Sequence, residues 1–498
     1  MNVVDYLFFN SKDLKKDFVL GPIEQIFFNQ LYEKVTKLAQ YLNKEVGENK
    51  NIVLMSHNSV FFLIAYLGIM KSGNVCVPLN PLIEQENLDY IIKTTSCKYF
   101  FVPKRTSEKY SFTNAVLIDE ANLDSILNST TSTNETIISE FDEKNRLAQI
   151  LFTSGSTGVP KGVMLSHKNL RSNTDSIVEY LKLTSNDIIE VVLPFYYCYG
   201  LSLLHTHLRV GGSVVLNNNF VFLGSVLDDI DKFKCTGFAG VPSHYQILLR
   251  KSKSFKKNEF PSLRYFTQAG GKLHNVFIQE LVEAFPQKKF FVMYGQTEAT
   301  ARLSYLPPEI LSVKFGSIGR GIPNVTLDVF NKNDQPAEVG EVGEIVAKGD
   351  NVMLGYLNDP ESSKRTIRDG WLRTGDMAKK DEDGYIYLVA REKEIIKVGG
   401  KRISPKEIEE VIVSIPEVVD CTIEGVFDEI LSEAIKATVV LTDNTDEEKA
   451  KEIILSTCRN KLVMYKIPQI IEFKKKLDVS LTGKKLARIN SSINKQSI

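Results

Sequence analysis

The sequence predicts an α/β protein. It reads as a large N-terminal α/β domain with parallel-type sheets, a β-rich stretch behind it, and a small α+β C-terminal domain. Three observations carry this. Short apolar runs alternate with helix-length stretches through the first part of the chain. After about residue 320 the runs give way to apolar–polar alternation. The last part of the chain reads as helix, strand, strand, helix.

In chain order, buried-strand runs stand at 52–55 (IVLM), 75–79 (VCVPL), 148–152 (AQILF), 191–193 (VVL), 213–216 (SVVL) and 290–293 (FFVM). Between them lie helix-like stretches at Ile26–Leu42, Val60–Lys71, Asn169–Leu181 and Asn275–Ala284. Apolar strands this short, separated by helices, suit a parallel sheet covered on both faces. Farther on, 325–330 (VTLDVF) and 342–347 (VGEIVA) alternate, as antiparallel strands with one wet face do. In 381–389 (DEDGYIYLV) the Asp383-Gly384 pair supplies the positive-φ residues of a hairpin turn. Helix 405–414, strands 419–426 and 434–441, and helix 446–462 complete the reading. A boundary near residue 392 separates a domain of residues 1–391 from one of 393–498.

Composition narrows the function. The 498 residues hold 61 Lys+Arg and 61 Asp+Glu, a balance that disfavours a nucleic-acid polymer as partner. The longest apolar run, Val60–Met70, is shorter than the roughly 20 residues that cross a bilayer, so no membrane span is expected. The N-terminus, MNVVDYLFFNSKDLKK, lacks the basic-then-apolar order of a secretory signal. Six scattered cysteines with no C-x-x-C pair point to neither a zinc site nor a disulfide framework, and the expectation is a reduced, cytoplasmic protein. The six histidines form no triad. His205 and His207 sit among apolar residues and read as packed structural side chains, and His167 reads as near a helix start.

The richest stretch is TSGSTGVPKG, Thr153–Gly162, directly behind an apolar strand. Three glycines and four hydroxyl residues (Thr153, Ser154, Ser156 and Thr157) let N–H and O–H groups wrap phosphate oxygens, and Lys161 adds a positive charge. Neither the Walker A pattern nor a G-x-G-x-x-G fingerprint can be laid on it. A flexible Ser/Gly linker is the plain alternative, but a linker does not sit tightly between two buried strands.

This loop is followed by YGQTEAT (294–300), GWLRTGD (370–376), REKEIIKVGGKRISPKEIEE (391–410) and TGKK (482–485). In that order the motifs resemble the AMP-forming adenylating superfamily: acyl-CoA synthetases, adenylation domains of peptide synthetases, and luciferases. KSGNVCVPLNP (71–81) extends the resemblance upstream, so that it covers essentially the whole chain. The resemblance implies an enzyme in which a carboxylate attacks the α-phosphate of ATP, giving an acyl-adenylate and pyrophosphate. It implies nucleotide contacts from Thr153, Ser154, Gly155, Ser156, Thr157, Gly158, Lys161, Gly270, Gly271, Tyr294, Gly295, Asp376 and Arg391. Asp376 matches the ribose acid and Tyr294 the aromatic beside adenine. Thr297 matches a phosphate-contacting hydroxyl, and Glu298 with Thr153 the Mg2+ position. On the residues alone, Glu298 reads as a plain acid at a helix start. Ala390-Arg391 stands where the family usually has Gly-Arg.

Lys484 matches the catalytic lysine of a mobile lid, with Lys485 the nearest competitor. Lys393 matches the hinge, and Gly399, Gly400 and Arg402 match the passage for a thiol arm. The glycine pair also reads as an ordinary turn. Tyr197, Gly240, Val241 and Gly295 match the acyl-pocket region. Tyr197 reads equally as pocket wall or as core aromatic. LPFYYCYGLS (193–202) carries no carboxylate to meet an amino group, which disfavours an α-amino acid. Gly295 replaces the Trp that closes the pocket of acetate-specific relatives, implying a larger acid. The acceptor is coenzyme A or the phosphopantetheine arm of an acyl carrier protein, which share a thiol. A non-catalytic binding protein on the same fold is the remaining class. Residues 459–498 hold ten Lys/Arg against two Asp/Glu, a solvated tail or a field for small phosphates.

Overall fold

The computed structural model describes all residues except 22, 132–140, 155–158, 392–393, 399–400, 429–431 and 478–498; of Ser154, Ala390, Arg391, Arg402 and Ser432 it describes the backbone alone. The apolar run at 60–71 forms a helix, Val60–Lys71, with no polar face, and such a helix must be covered on every side. Ser59 starts it, its hydroxyl accepting from the Phe62 N–H at 3.1 Å. Every residue from Phe61 to Lys71 is buried. One flank packs on the helix Phe28–Glu45, so closely that a Cβ at Gly68 would lie 2.6 Å from Leu38 Cδ2. Another touches the strands Asn51–Met55 and Val75–Leu79. A third carries Phe62 against Phe195 and Tyr66 against His205, with ring centroids 5.7 and 5.8 Å apart.

Two large sheets thus share this helix. The seven-stranded sheet runs from the edge strand Gly355–Tyr356 through Pro160–Ser166 and Leu147–Ser154 to Val75–Leu79, Asn51–Met55, Tyr99–Phe101 and Val116–Ile118. It is parallel except for the pairings of Pro160–Ser166 with its two neighbours. The nine-stranded sheet has six consecutive parallel strands: Lys289–Tyr294, Tyr265–Gln268, Gly237–Gly240, Ile188–Val191, Ser213–Leu216 and Asp17–Leu20. Short antiparallel strands close both of its edges. The run expected at 191–193 pairs three residues earlier, with Ile188 opposite Ser213 and Val191 opposite Leu216. Val192 and Leu193 are buried outside the strand pairing, and Asn58 holds the backbone at Leu193 and Phe195. Its amide donates to the Leu193 carbonyl (2.9 Å), and its oxygen accepts from the Phe195 N–H (2.7 Å).

Between residues 325 and 391 the pairing is antiparallel, with Val325–Phe330, Gly343–Gly349, Trp371–Lys380 and Ile386–Arg391 in one five-stranded sheet. The hairpin at 381–385 differs from the two-residue turn expected. Gly384 alone has positive φ (+77°), and the Asp381 carboxylate closes the loop by accepting from the N–H groups of Asp383 and Tyr385. A last five-stranded sheet contains only strands from residue 396 onward and carries the helices Pro405–Val413 and Glu447–Lys461. Leu477 packs on Val419 and Val440 there, just past the exposed Lys475 and Lys476.

This C-terminal unit rests on two helices of the large sheet, Pro242–Lys251 and Asn275–Ala284. Gln246 donates to Asp420 Oδ1 at 3.0 Å. The Glu410 carboxylate accepts from His274 Nδ1 (3.0 Å) and the Asn275 N–H (2.7 Å), with Lys272 Nζ at 3.5 Å. Burial alone would raise the Glu410 pKa, but these donors outweigh it and hold the carboxyl below its usual range.

All six cysteines are buried and unpaired. Glu190 is a wholly buried acid in a central strand, with one carboxylate oxygen unpartnered and the Cys235 thiol 3.9 Å from the other. Burial, reinforced by Asp229, raises its pKa well above the usual carboxylate value. A folded-state pKa above the unfolded one favours folding below the unfolded pKa and loses that contribution as pH rises. Glu190→Gln is therefore expected to melt a few degrees above the parent at neutral pH, with the advantage shrinking to nothing near pH 4. Thermal unfolding across that pH range checks this, and a pH-independent difference would contradict it.

Candidate active site

Ile188–Val191, Gly237–Gly240, Tyr265–Gln268 and Lys289–Tyr294 lie side by side in parallel, so their carboxyl ends share one edge of the sheet. From that edge emerge Tyr197, Gly240-Val241, Gly270-Gly271 and Tyr294-Gly295, four expected pieces of the site brought together by topology alone. Open α/β sheets bind ligands at such an edge. Gly270 adopts φ +85°, a conformation that disfavours any side chain, and Gln268 Nε2 donates to the Gly271 carbonyl at 2.6 Å. The loop ahead of Tyr197 is the one Asn58 pins. Tyr197 is half-buried, lies against the main core and precedes the helix Cys198–Val210. Burial pushes the neighbouring Tyr196 phenol up to about 12.

Gly295 has a reason of its own to be glycine. A Cβ there would stand 2.0 Å from the Ala301 carbonyl oxygen and 2.8 Å from Arg302 Cα, so main-chain packing already excludes a side chain. The missing Trp is thus accounted for by this turn as well as by any widening of an acyl chamber.

Tyr294 ends its strand by donating from its hydroxyl to Asp376 Oδ2 at 2.6 Å, with both side chains buried. Asp376 follows Gly375 (φ +74°), and its N–H donates to Thr374 Oγ1, a local turn that presents the carboxylate. Directly opposite, across an antiparallel pair, stands Arg391. The adenine-side aromatic, the ribose acid and the second ribose or phosphate contact implied by the motifs therefore occupy adjoining positions, although they lie far apart in sequence.

The strands flanking the phosphate loop pair Thr153 with Lys161. Lys161 Nζ donates to Ser362 Oγ (2.6 Å), lies 3.4 Å from Asp359 Oδ2 and stands 5.0 Å over the Tyr356 ring. The Tyr356 hydroxyl in turn donates to Glu298 Oε1 at 2.9 Å. Burial first, then the Glu298 charge, raises the Tyr356 pKa, so the phenol keeps the proton it donates. Tyr356 thus links the cation of one motif to the carboxylate of another. Sequence reasoning missed Tyr356, Asp359 and Ser362. The signal was present in the Asp359-Pro360 helix start, where Asp359 caps Pro360–Thr366 by accepting from the Ser362 N–H at 2.9 Å. Thr297 is buried, its hydroxyl directed at the Cys198 thiol (3.6 Å).

Gly155, Ser156, Thr157, Gly158, Lys393, Gly399, Gly400 and Lys484 lie outside the described residues, as do the side chains of Ser154, Arg391 and Arg402. Among the described residues no cluster of three or more His, Cys, Asp or Glu side chains forms a metal cage. Glu298 keeps one carboxylate oxygen without a hydrogen bond or ion pair among those residues. A single carboxylate with hydroxyls nearby suits Mg2+ carried largely by nucleotide phosphates.

Residues 11–357 match the model of the AMP-binding enzyme family, and residues 407–484 that of the AMP-binding enzyme C-terminal domain. The chain is 30% identical over 482 residues to an oxalate–CoA ligase of Arabidopsis thaliana, covering 92% of each protein. It is 28% identical to a long-chain-fatty-acid–CoA ligase of Salmonella typhimurium, covering 93% of this chain and 89% of that one. Among solved structures, ATP-bound MatB from Rhodopseudomonas palustris superposes with a TM-score of 0.85 at 27% identity, covering 97% of both chains. The anthranilate CoA ligase AuaEII, at 24% identity and a TM-score of 0.89 over 97% of this chain and 95% of that one, shares the fold. No described helix is long and apolar enough to cross a membrane. With its motif order, its shared strand edge and a family match over most of its length, the chain belongs to the AMP-forming adenylating superfamily as an AMP-binding enzyme.

Proposed function

We propose that the protein activates a carboxylic acid other than an α-amino acid, and larger than acetate, as its adenylate and transfers the acyl group to coenzyme A. One observation carries the chemistry: Tyr356 joins Lys161 to Glu298, so a phosphate-binding cation and a metal-binding carboxylate share one support. Two anions must meet in the first step, and pre-placed charges lower its barrier without reorganising when the reaction begins. Among the described residues Lys161 forms its ion pair with a partly exposed Asp359, and such an ion pair is weak enough for an incoming phosphate to replace. Asp376 and Arg391 serve the ribose side, with Tyr294 orienting the Asp376 carboxylate. The loop of residues 155–158 wraps the phosphates. Glu298 with Thr153 would hold Mg2+, which would neutralise charge on the phosphate oxygens.

Lys484 stabilises the charge that develops in adenylation, and rotation about Lys393 then exchanges it for Gly399, Gly400 and Arg402, along which the thiol enters. The acid approaches between Tyr197, Gly240-Val241 and Gly295. Coenzyme A as acceptor is supported by the oxalate–CoA and long-chain-fatty-acid–CoA ligases among the relatives.

Acid-dependent ATP–pyrophosphate exchange over a broad carboxylic-acid panel tests the proposal, and no exchange with any acid would refute it. Lys484→Ala is expected to lower adenylation by about a hundredfold or more while sparing thioester formation from supplied acyl-adenylate. Equal loss of both steps would remove Lys484 from the lid role. Tyr356→Phe deletes one hydrogen bond to a carboxylate. It is expected to lower kcat/KM for ATP by about tenfold to a hundredfold, with the effect steepest at limiting Mg2+. An unchanged Mg2+ dependence would separate Tyr356 from Glu298.

A further inference from the structure

Arg302, six residues beyond Gln296 in the YGQTEAT segment, is 2% exposed, yet no described carboxylate pairs with it. Its surroundings are neutral. The guanidinium carbon stands 3.9 Å over the Tyr199 ring, the guanidinium donates to the phenol oxygens of Tyr180 and Tyr199, and its Nη1 donates to the Ala301 carbonyl at 3.4 Å. A π-face and neutral oxygens stabilise a buried cation in part but leave its charge uncompensated, and an uncompensated buried charge is strongly destabilising.

Arg302 lines a small internal cavity together with Tyr265 and His207. Three polar atoms of that lining have no partner among the described residues: Arg302 Nε, the Tyr265 hydroxyl and His207 Nε2. The first two are donors. His207 donates from Nδ1 to the Leu203 carbonyl (2.9 Å), so its Nε2 carries the lone pair. The backbone here is rigid, since Asn173 and Asn351 both donate to the Arg302 carbonyl, at 3.0 and 2.8 Å. A second small cavity, lined by Cys198, Thr300 and Ala301, shares Ile177 and Ser202 with the first. It reaches the Cys198 thiol that Thr297 touches, and the Arg302 backbone abuts Gly295.

We propose that this cavity binds a compact monovalent anion, which Arg302 and Tyr265 hold by hydrogen bonds and charge. Two sources supply that chemistry: a free halide, or the far carboxylate of a dicarboxylic acid whose other carboxylate is activated. The second source rests on the ligase reading above, whereas the first is independent of it.

The test has an arm for each source. Melting of the wild-type protein is followed in sodium chloride and sodium bromide against sodium gluconate at equal ionic strength, gluconate being too large for the cavity. A bound halide is expected to raise Tm by roughly 2–4 °C, and Arg302→Met to abolish the shift. In the other arm, pyrophosphate release is measured with monocarboxylic and dicarboxylic acids of matched length. A distal carboxylate at Arg302 is expected to favour the dicarboxylic acid by about tenfold or more in kcat/KM, a preference that Arg302→Met reverses. If Arg302→Met does not fold, Tyr265→Phe, which removes the other donor, replaces it and is expected to weaken the shift, and an anomalous bromide peak in wild-type crystals needs no variant. No halide shift, no bromide peak and no dicarboxylic preference together overturn the proposal. Pyrophosphate release from monocarboxylic acids alone would remove the dicarboxylic source while leaving both the ligase reading and the halide arm standing.

Discussion

The Tyr66 phenol is the joint on which the arrangement of the site depends. It sits on the one helix that both large sheets share, and its hydroxyl lies 2.6 Å from Gln149 Oε1 and 2.9 Å from His205 Nε2. A phenol has one proton to give. It goes to the Gln149 carbonyl oxygen, so His205 must donate its own Nε2–H to the phenol oxygen. Burial lowers the His205 pKa to about 3 and keeps the imidazole neutral, as this network requires. Gln149 lies on the strand that delivers Thr153, and His205 on the helix that begins just after Tyr197. One buried three-member chain thus sets the phosphate loop in register with the acyl side of the site. Such a chain is costly to break, because each group would be left unpaired in a dry interior.

Charge is handled differently in the core and at the site. Histidines inside the large domain are neutralised by burial: His167, His205 and His244 are pushed down to about 3, and His207 to about 4. Near the nucleotide edge Lys161 and Glu298 remain partly wet, and their described partners, Ser362, Asp359 and Tyr356, carry no buried opposite charge to displace. Water lowers the cost of exchanging partners, which a site that must release pyrophosphate requires. Arg302 departs from both patterns, being a full charge kept dry and without a carboxylate.

Much of the fold could be read directly. Val60–Lys71 and Asn275–Ala284 begin and end where their apolar pattern and Ser59 place them, because capping and periodicity are local properties. The strand at 188–191 was displaced because 191–193 is equally apolar, and it is the side chain of Asn58, more than a hundred residues away, that holds the backbone at Leu193 and Phe195. The hairpin at 381–385 was mistyped for a similar reason. A side-chain carboxylate closes it, and turn propensities describe only the backbone.

The sequence by itself determined the order of motifs and the α/β class. The class follows from local patterning, and the motif order carries the resemblance that implies which residues are proposed to meet phosphate, ribose and magnesium. The tertiary structure alone decided which of them share a support. Tyr356 is unremarkable in the chain, and becomes the bridge between Lys161 and Glu298 because an antiparallel edge pairing lays residues 355–356 beside the strand after the phosphate loop. Arg302 likewise carries no local signal, and it is the packing around Tyr180, Tyr199 and Tyr265 that removes it from water. Burial is a sum over neighbours distant in sequence, and no local pattern in one chain encodes that sum.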